Sequence, residues 1–202
     1  MKRIIDILMA SVLSIITIVP VTIAAFIFWI LYRENPLYFS VRAGKGGKPF
    51  TIFKLKSMRS MTNGFGEPLP DEKRLTTYGK FLRMSSLDEL PQLINILKGE
   101  MSFVGPRPLF LEYNELYTTE QRVRITVRPG ITGLAQVKGR NSISWEDKFR
   151  FDSDYVNNQS LLLDLKIVFL TCIKVIAHEG ITQQNHATTQ KFTGSKSKGV
   201  NI

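Results

Sequence analysis

Cysteine and histidine are almost missing: 202 residues hold one cysteine, Cys172, and two histidines, His178 and His186. A lone cysteine has no intrachain disulfide partner, which excludes a disulfide scaffold and fits a reducing compartment. The apolar stretch around Cys172 predicts a buried filler residue. The histidines lack metal-ligand spacing, which argues against a zinc site. Acids are also scarce, 17 against 27 lysines and arginines, for a formal net charge of +10. That excess suits phosphate groups, anionic lipid or nucleic acid, and alone does not choose among them. No internal repeat, low-complexity block or interdomain linker divides the chain.

What the chain does have is one long apolar run, residues 4–32, broken only by Asp6 and a few Ser and Thr residues. It is long enough for a membrane segment. It is too long for a signal peptide, and no small-residue cleavage site follows before Arg33. Pro20 near its middle removes a backbone bond and bends a helix. The arms 4–19 and 21–32 would be about 24 Å and 18 Å long at 1.5 Å per residue. Each falls short of a hydrocarbon core roughly 30 Å thick. Lys2 and Arg3 precede the run, and Arg33, Arg42, Lys45 and Lys48 follow it. Positive residues stay cytoplasmic, so both ends belong on one side. The expectation is a re-entrant hairpin in which Ser14, Thr17 and Thr22 bond carbonyls freed at the bend. A kinked single span is the alternative.

Beyond the membrane run, 37–42 and 50–56 are β-prone and joined by AGKGGKP, which predicts a β-hairpin. Its Gly-Lys run lacks GxxxxGK[ST] spacing, so it is a basic turn and not a nucleotide loop. Residues 63–72 form a surface loop. The segment 83–98, RMSSLDELPQLINILK, carries Leu90, Leu93, Ile94 and Leu97 at helical spacing. Ser86 precedes Glu89 by three residues, capping-box spacing, and Pro91 is tolerated only near a helix start. The helix should begin near Asp88, with both acids at its amide-rich end. Capping alone would explain those acids. Arg107 sits between two prolines in GPRP, a rigid turn suited to bidentate phosphate binding. Residues 112–124 look like an exposed polar helix, 128–133 a turn, 134–137 a strand, and 144–156 a helix with Asp152. Residues 161–177 form a long apolar helix that suits either the core or the membrane interface. The tail from Thr182 is polar and loosely ordered.

Taken together, SLDELPQLINILKGEMSFVGPRP, then RPGITGLAQVKGR, then Asp152-x-x-Tyr155 and LDLK at 163–166 resemble the bacterial sugar transferase family. These are the monotopic polyprenyl-phosphate phosphoglycosyl transferases, and the match runs from the basic start through Lys191. The chain is similar to a short member of that family, without an additional membrane domain. The resemblance implies an α+β fold: a re-entrant membrane anchor (1–33), a mainly helical cytoplasmic domain with a small β-hairpin and interfacial amphipathic helices (34–181), and a polar tail (182–202). It implies transfer of a sugar 1-phosphate from a UDP-sugar to undecaprenyl phosphate with release of UMP and Mg2+ as cofactor, at the cytoplasmic face of the bacterial inner membrane. Downstream glycosyltransferases would be further partners. Asp88 would be the nucleophile of a covalent phosphosugar intermediate and Glu89 its partner at the metal, with Asp88 as a second metal ligand. Lys54, Arg83, Arg107 and Asp152 would bind substrate or phosphate. The tail 187–194 points weakly to UDP-N,N'-diacetylbacillosamine. One departure is Val19, where relatives place serine before the bending proline. A catalytically inert basic scaffold at the membrane would explain the charge but not the acid pair. A nucleic-acid binder lacks aromatic-basic stacking motifs.

Overall fold

The computed structural model describes residues 1–139, 142–177 and 191–194. His178, His186 and the first half of the tail signature, 187–190, therefore lie outside the described residues. In chain order the elements are helix α1 (Lys2–Tyr32), strands β1 (Leu37–Ala43) and β2 (Pro49–Leu55), and helices α2 (Asp71–Arg74) and α3 (Thr77–Met84). A 3-10 turn (Leu87–Gln92) runs into α4 (Leu93–Lys98), followed by β3 (Ser102–Val104). Two more 3-10 turns (Leu111–Glu115 and Gln121–Ile125) precede β4 (Gly130–Thr132), and helices α5 (Leu134–Lys138), α6 (Trp145–Asn157) and α7 (Leu161–Ile176) complete the domain.

Helix and sheet are mixed, as expected, but the described residues hold two sheets. β1 and β2 form the expected antiparallel hairpin, with Leu37 opposite Leu55 and Ala43 opposite Pro49. β3 and β4 pair in parallel, with Ser102 opposite Gly130 and Val104 opposite Thr132. The strand expected at 134–137 is helix α5, and the neighbouring strand lies in the stretch read as a turn. Glycine explains the displacement. A Cβ on Gly130 would lie 2.1 Å from the Gly105 nitrogen. Only the missing side chains let the GPRP loop lie backbone-to-backbone on β4.

Residues 112–124 are two short 3-10 turns with Tyr113, Tyr117 and Arg124 buried, not one exposed helix. Cys172 is exposed, not buried filler. α6 and α7 form where expected, capped by Ser144 and Ser160 side chains that accept from the amides of Asp147 and Leu163. Part of the tail is docked: Phe192 is buried against Tyr113, Tyr117, Trp145 and Phe149, and its amide donates to the Tyr113 hydroxyl at 3.1 Å.

The main core joins Phe50 and Ile52 of β2, Leu93 and Ile96 of α4, Phe103 and Val104 of β3, Tyr155 of α6 and Ile167 of α7. Ala10 of α1 belongs to it. Two parts of α1 touch the domain. Near the start, Lys2 pairs with Asp164 at 2.6 Å, and Arg3 donates to the carbonyls of Ile96 and Leu97. Further along, Ala24 packs with Leu55 and Leu82, and the Tyr78 hydroxyl donates to the Ala24 carbonyl. Between them Val12, Ile15, Ile16, Ile18, Val19 and Ile23 are exposed. α1 is a single helix with Pro20 inside, long and apolar enough to cross a membrane. Thr17 and Thr22 donate to the carbonyls of Leu13 and Ile18. The carbonyl that Pro20 deprives of its amide partner is that of Ile16.

Asp6, the one acid in the apolar run, is buried and accepts from the Ser102 hydroxyl and the Phe103 amide, each at 3.1 Å. Asp6→Ala should destabilise the purified protein by about 2–4 kcal/mol, because two buried donors lose their acceptor. Asp6→Asn, which keeps an acceptor oxygen, should recover most of that loss in the same thermal melt.

Candidate active site

The acid pair is set by a sharp reversal after α3. Ser86 sits at φ 57°, a left-handed turn, and the next six residues form a 3-10 turn that accommodates Pro91. The expected capping box is absent: the Ser86 side chain caps nothing, and the Glu89 amide donates instead to the Ser86 carbonyl at 3.2 Å. The helical segment does begin beside Asp88, as a 3-10 turn with both acids in its first turn, and becomes α4 only at Leu93. Asn95, fully buried, then locks α4 to β2. Its amide nitrogen donates to the Thr51 carbonyl at 2.7 Å, and its oxygen accepts from the Phe53 amide at 3.2 Å. Those bonds satisfy the open edge of β2 and place Lys54 over the acid pair.

Glu89 collects the cations. Its Oε1 lies 2.6 Å from both Lys54 Nζ and Arg107 Nη2, and Arg107 Nη1 reaches Oε2 at 3.5 Å. Arg107, Lys54 and burial act on Glu89 together, and the two cations hold its carboxyl well below the usual range. Asp88 is the opposite case. It is 8% exposed and makes no hydrogen bond or ion pair with any described residue. Burial first, then the Glu89 charge, pushes its carboxyl up to about 6, against the pull of Lys54, Arg83 and Arg107. Two adjacent carboxylates with divided environments are the pattern of divided roles.

Arg83 approaches from α3, where Gly79 lets the helix lie against Ser57: a Cβ there would be 1.8 Å from the Ser57 carbonyl oxygen. The Arg83 Nε donates to Ser57 Oγ at 2.9 Å. Burial lowers its pKa, while Asp88, Asp71 and Glu89 raise it. The structure thus brings Asp88, Glu89, Lys54, Arg83 and Arg107 together. Asp152 stands behind them. It is buried, with Oδ2 3.0 Å from the Nε of Arg124. Arg124 also donates to the Tyr117 hydroxyl at 3.0 Å and to the Arg107 carbonyl at 2.6 Å. Arg124 escapes sequence reasoning, since its stretch looks polar and exposed and its acid lies 28 residues away. Ser57 escapes it too.

Among the described residues no third His, Cys, Asp or Glu completes a metal cluster around the acid pair. The donors present are hard oxygens: the unpartnered Asp88 carboxylate and the lightly engaged Oε2 of Glu89. They suit Mg2+, which needs only one or two carboxylates and fills its shell with phosphate and water. They do not suit zinc.

A family model described as bacterial sugar transferase matches residues 1–178. The chain is 54% identical over 162 residues to the uncharacterized sugar transferase EpsL of Bacillus subtilis (strain 168), covering 80% of each. It is 40% identical over 184 residues, 86% of this chain, to the UDP-glucose:undecaprenyl-phosphate glucose-1-phosphate transferase of Klebsiella pneumoniae, and spans 39% of that protein. It is 35% identical over 199 residues, 89% of this chain, to the undecaprenyl-phosphate galactose phosphotransferase of Salmonella typhimurium, and spans 41% of it.

The raised pKa of Asp88 has a thermodynamic sign. Its folded value lies above the unfolded one, so burying the ionised form lowers stability above pH 6, and that cost disappears below about pH 4. Two pKa units correspond to about 2–3 kcal/mol. Asp88→Asn should therefore raise the thermal midpoint by several degrees in metal-free buffer at pH 7.5. The gain should fade as the melt is repeated from pH 6 down to pH 4.

Proposed function

The chain belongs to the bacterial sugar transferase family, and from that premise we propose that it transfers a sugar 1-phosphate from a UDP-sugar to undecaprenyl phosphate, releasing UMP. The observation that carries the mechanism is the divided acid pair. Glu89 is neutralised by Lys54 and Arg107, while Asp88 stays unpaired and unusually basic for a carboxylate. A basic carboxylate shielded from water is the better nucleophile toward phosphorus. Asp88 attacks the sugar-bearing phosphate and UMP departs. The lipid phosphate then displaces Asp88 from the phosphosugar. Lys54, Arg83 and Arg107 neutralise the phosphate oxygens, and catalysis of this kind rests on positioning and charge. Arg107 exchanges its Glu89 oxygen for phosphate while Arg124 holds its main chain still. Mg2+, held by Glu89 with Asp88, would supply further neutralisation of the diphosphate. Asp152 is the positioning residue for Arg124, not a direct substrate ligand.

α1 acts as a re-entrant anchor. Both its first and its last turns touch the same domain, while its middle is exposed and apolar. A full span would place those two contacts, near Arg3 and Ala24, on opposite membrane faces, where one domain could not reach both. The basic residues at both ends favour the cytoplasmic side. Leu162, Leu165, Phe169, Ile173 and Ile176 of α7 are also exposed and suit the interface. The anchor covers 1–33, the catalytic domain 34–181 and the tail 182–202, as the sequence suggests.

Two experiments test these readings. Protein given UDP-sugar and Mg2+ without lipid should release UMP and gain one phosphosugar on the peptide bearing Asp88, detected by mass after rapid quench. Asp88→Asn should abolish both, a drop of at least about 10³-fold, because an amide does not attack phosphorus. Full activity in that variant would sink the assignment. Cysteines placed at positions 2 and 45 should both resist an impermeant reagent added outside intact cells. Labelling at position 2 alone would mean a full span.

A further inference from the structure

Two cations near Arg107, Arg42 and Lys148, make no ion pair with any described residue, although Lys148 feels the charge of Asp152. Arg42 ends β1, and the amide of the next residue, Ala43, donates to the Leu109 carbonyl at 2.9 Å. That bond ties the strand end to the loop two residues past Arg107. The Arg42 guanidinium lies 3.5 Å from the centroid of the Phe110 ring, and its Nε is buried with no hydrogen-bond partner. Lys148 projects from α6, its Nζ 4.5 Å from the Trp145 ring centroid. Asp152, one turn on, is already taken by Arg124. Arg107 acts on both Arg42 and Lys148 as a like charge, and both are partly withdrawn from water. Arg107 rests on Glu89, Lys148 shares the charge of Asp152 with Arg124, and Arg42 has no carboxylate, so the group gains when an anion enters.

We propose that Arg42 and Lys148, with Arg107, form a second phosphate subsite that holds first the departing UMP phosphate and then the incoming lipid phosphate. This rests on the two-step reading above. In each displacement the entering and leaving oxygens lie roughly in line through phosphorus. In the first, the Asp88 oxygen forms a bond to phosphorus while the diphosphate bridge breaks and its electron pair leaves on UMP. In the second, a lipid phosphate oxygen forms the new bridge while the bond to Asp88 breaks and returns its pair to the carboxylate. Both partners of Asp88 are phosphates, and both stand on the side of phosphorus opposite it. One subsite serves them in turn. Arg42 offers a planar fork stacked on Phe110, and Lys148 offers a point charge.

The test uses the full chain in detergent, with UMP as the calorimetric probe and as a product inhibitor. UMP should inhibit competitively against undecaprenyl phosphate. Arg42→Gln and Lys148→Gln should each weaken UMP binding and raise the lipid KM by about tenfold, as expected for losing a charge-assisted contact. Arg42→Lys should recover part of both effects, and it decides the matter if the Gln variants melt early. Arg150→Gln, which removes an exposed charge from the same helix, should change neither. Unchanged UMP affinity in folded Arg42 and Lys148 variants overturns the subsite. Weakening of UMP alone, or of lipid alone, overturns its shared use. Adduct formation in the wild-type protein is measured separately by mass. Its absence removes the two-step reading and the shared use with it, while UMP affinity in the variants still scores the cations.

Discussion

Glu89 sits where three distant stretches of chain meet, and its carboxylate is the charge they share. Lys54 comes from β2 and Arg107 from the loop after β3, and both reach one oxygen of Glu89 at 2.6 Å. Removing one partner of such a cluster leaves the others under-compensated. Arg107, however, has a side chain 46% exposed, so water screens part of its interaction. The arrangement is therefore firm on the Lys54 side and open on the Arg107 side. Its main consequence falls on the neighbour: burial and the Glu89 charge outweigh the pull that Lys54, Arg83 and Arg107 exert on Asp88, and its proton affinity rises.

The same interaction explains why the local sequence misleads at this point. Ser86 and Glu89 have capping-box spacing, yet Glu89 is drawn away from the chain start by Lys54 and Arg107, and Pro91 tightens the turn. A tertiary contact overrides a local preference, as happens most often at functional sites. Elsewhere local signals suffice. The β-hairpin follows from alternation and a glycine-rich turn, and α6 and α7 from apolar periodicity behind serine caps. The β3–β4 pair was illegible because its partners lie far apart in the chain and its signal is a pair of glycines in close approach. Arg107 and the acid pair stood out locally, in a rigid proline turn and at a helix start, but their roles, and Lys54 and Arg83 altogether, came only through resemblance to a family. The Asp152–Arg124 pair had no local signal for its partner at all.

The long apolar helix α1 and the candidate site are parts of one packing problem. Asp6 bonds β3 directly, Ala10 enters the core that also holds Ile96, and Arg3 caps the carbonyls of Ile96 and Leu97 at the end of α4. α4 is the helix that Asn95 locks to β2, and β2 carries Lys54. Ala24, meanwhile, packs on Leu82 of α3, one residue before Arg83. Each arm of the apolar helix therefore steadies an element that delivers a site cation. The seating of α1 and the geometry of the candidate site are coupled through packed side chains.

Arg107 shows how the fold separates rigidity from exchange. Its main-chain carbonyl is held by Arg124, whose own side chain is buried on Asp152 and Tyr117 and flanked by the Tyr117 and Phe149 rings. Phe192, returning from the tail, packs against both rings. Flanking prolines restrict the backbone on either side. The guanidinium itself is half exposed and rests on a carboxylate. On the transfer reading proposed above, an anion arriving there would exchange one oxygen ligand for another without backbone movement. Preorganisation of this kind lowers the reorganisation needed at the moment of transfer. Asp152 has a structural part in this arrangement: a buried acid fixes the buried Arg124, which in turn holds the main chain of the exposed Arg107.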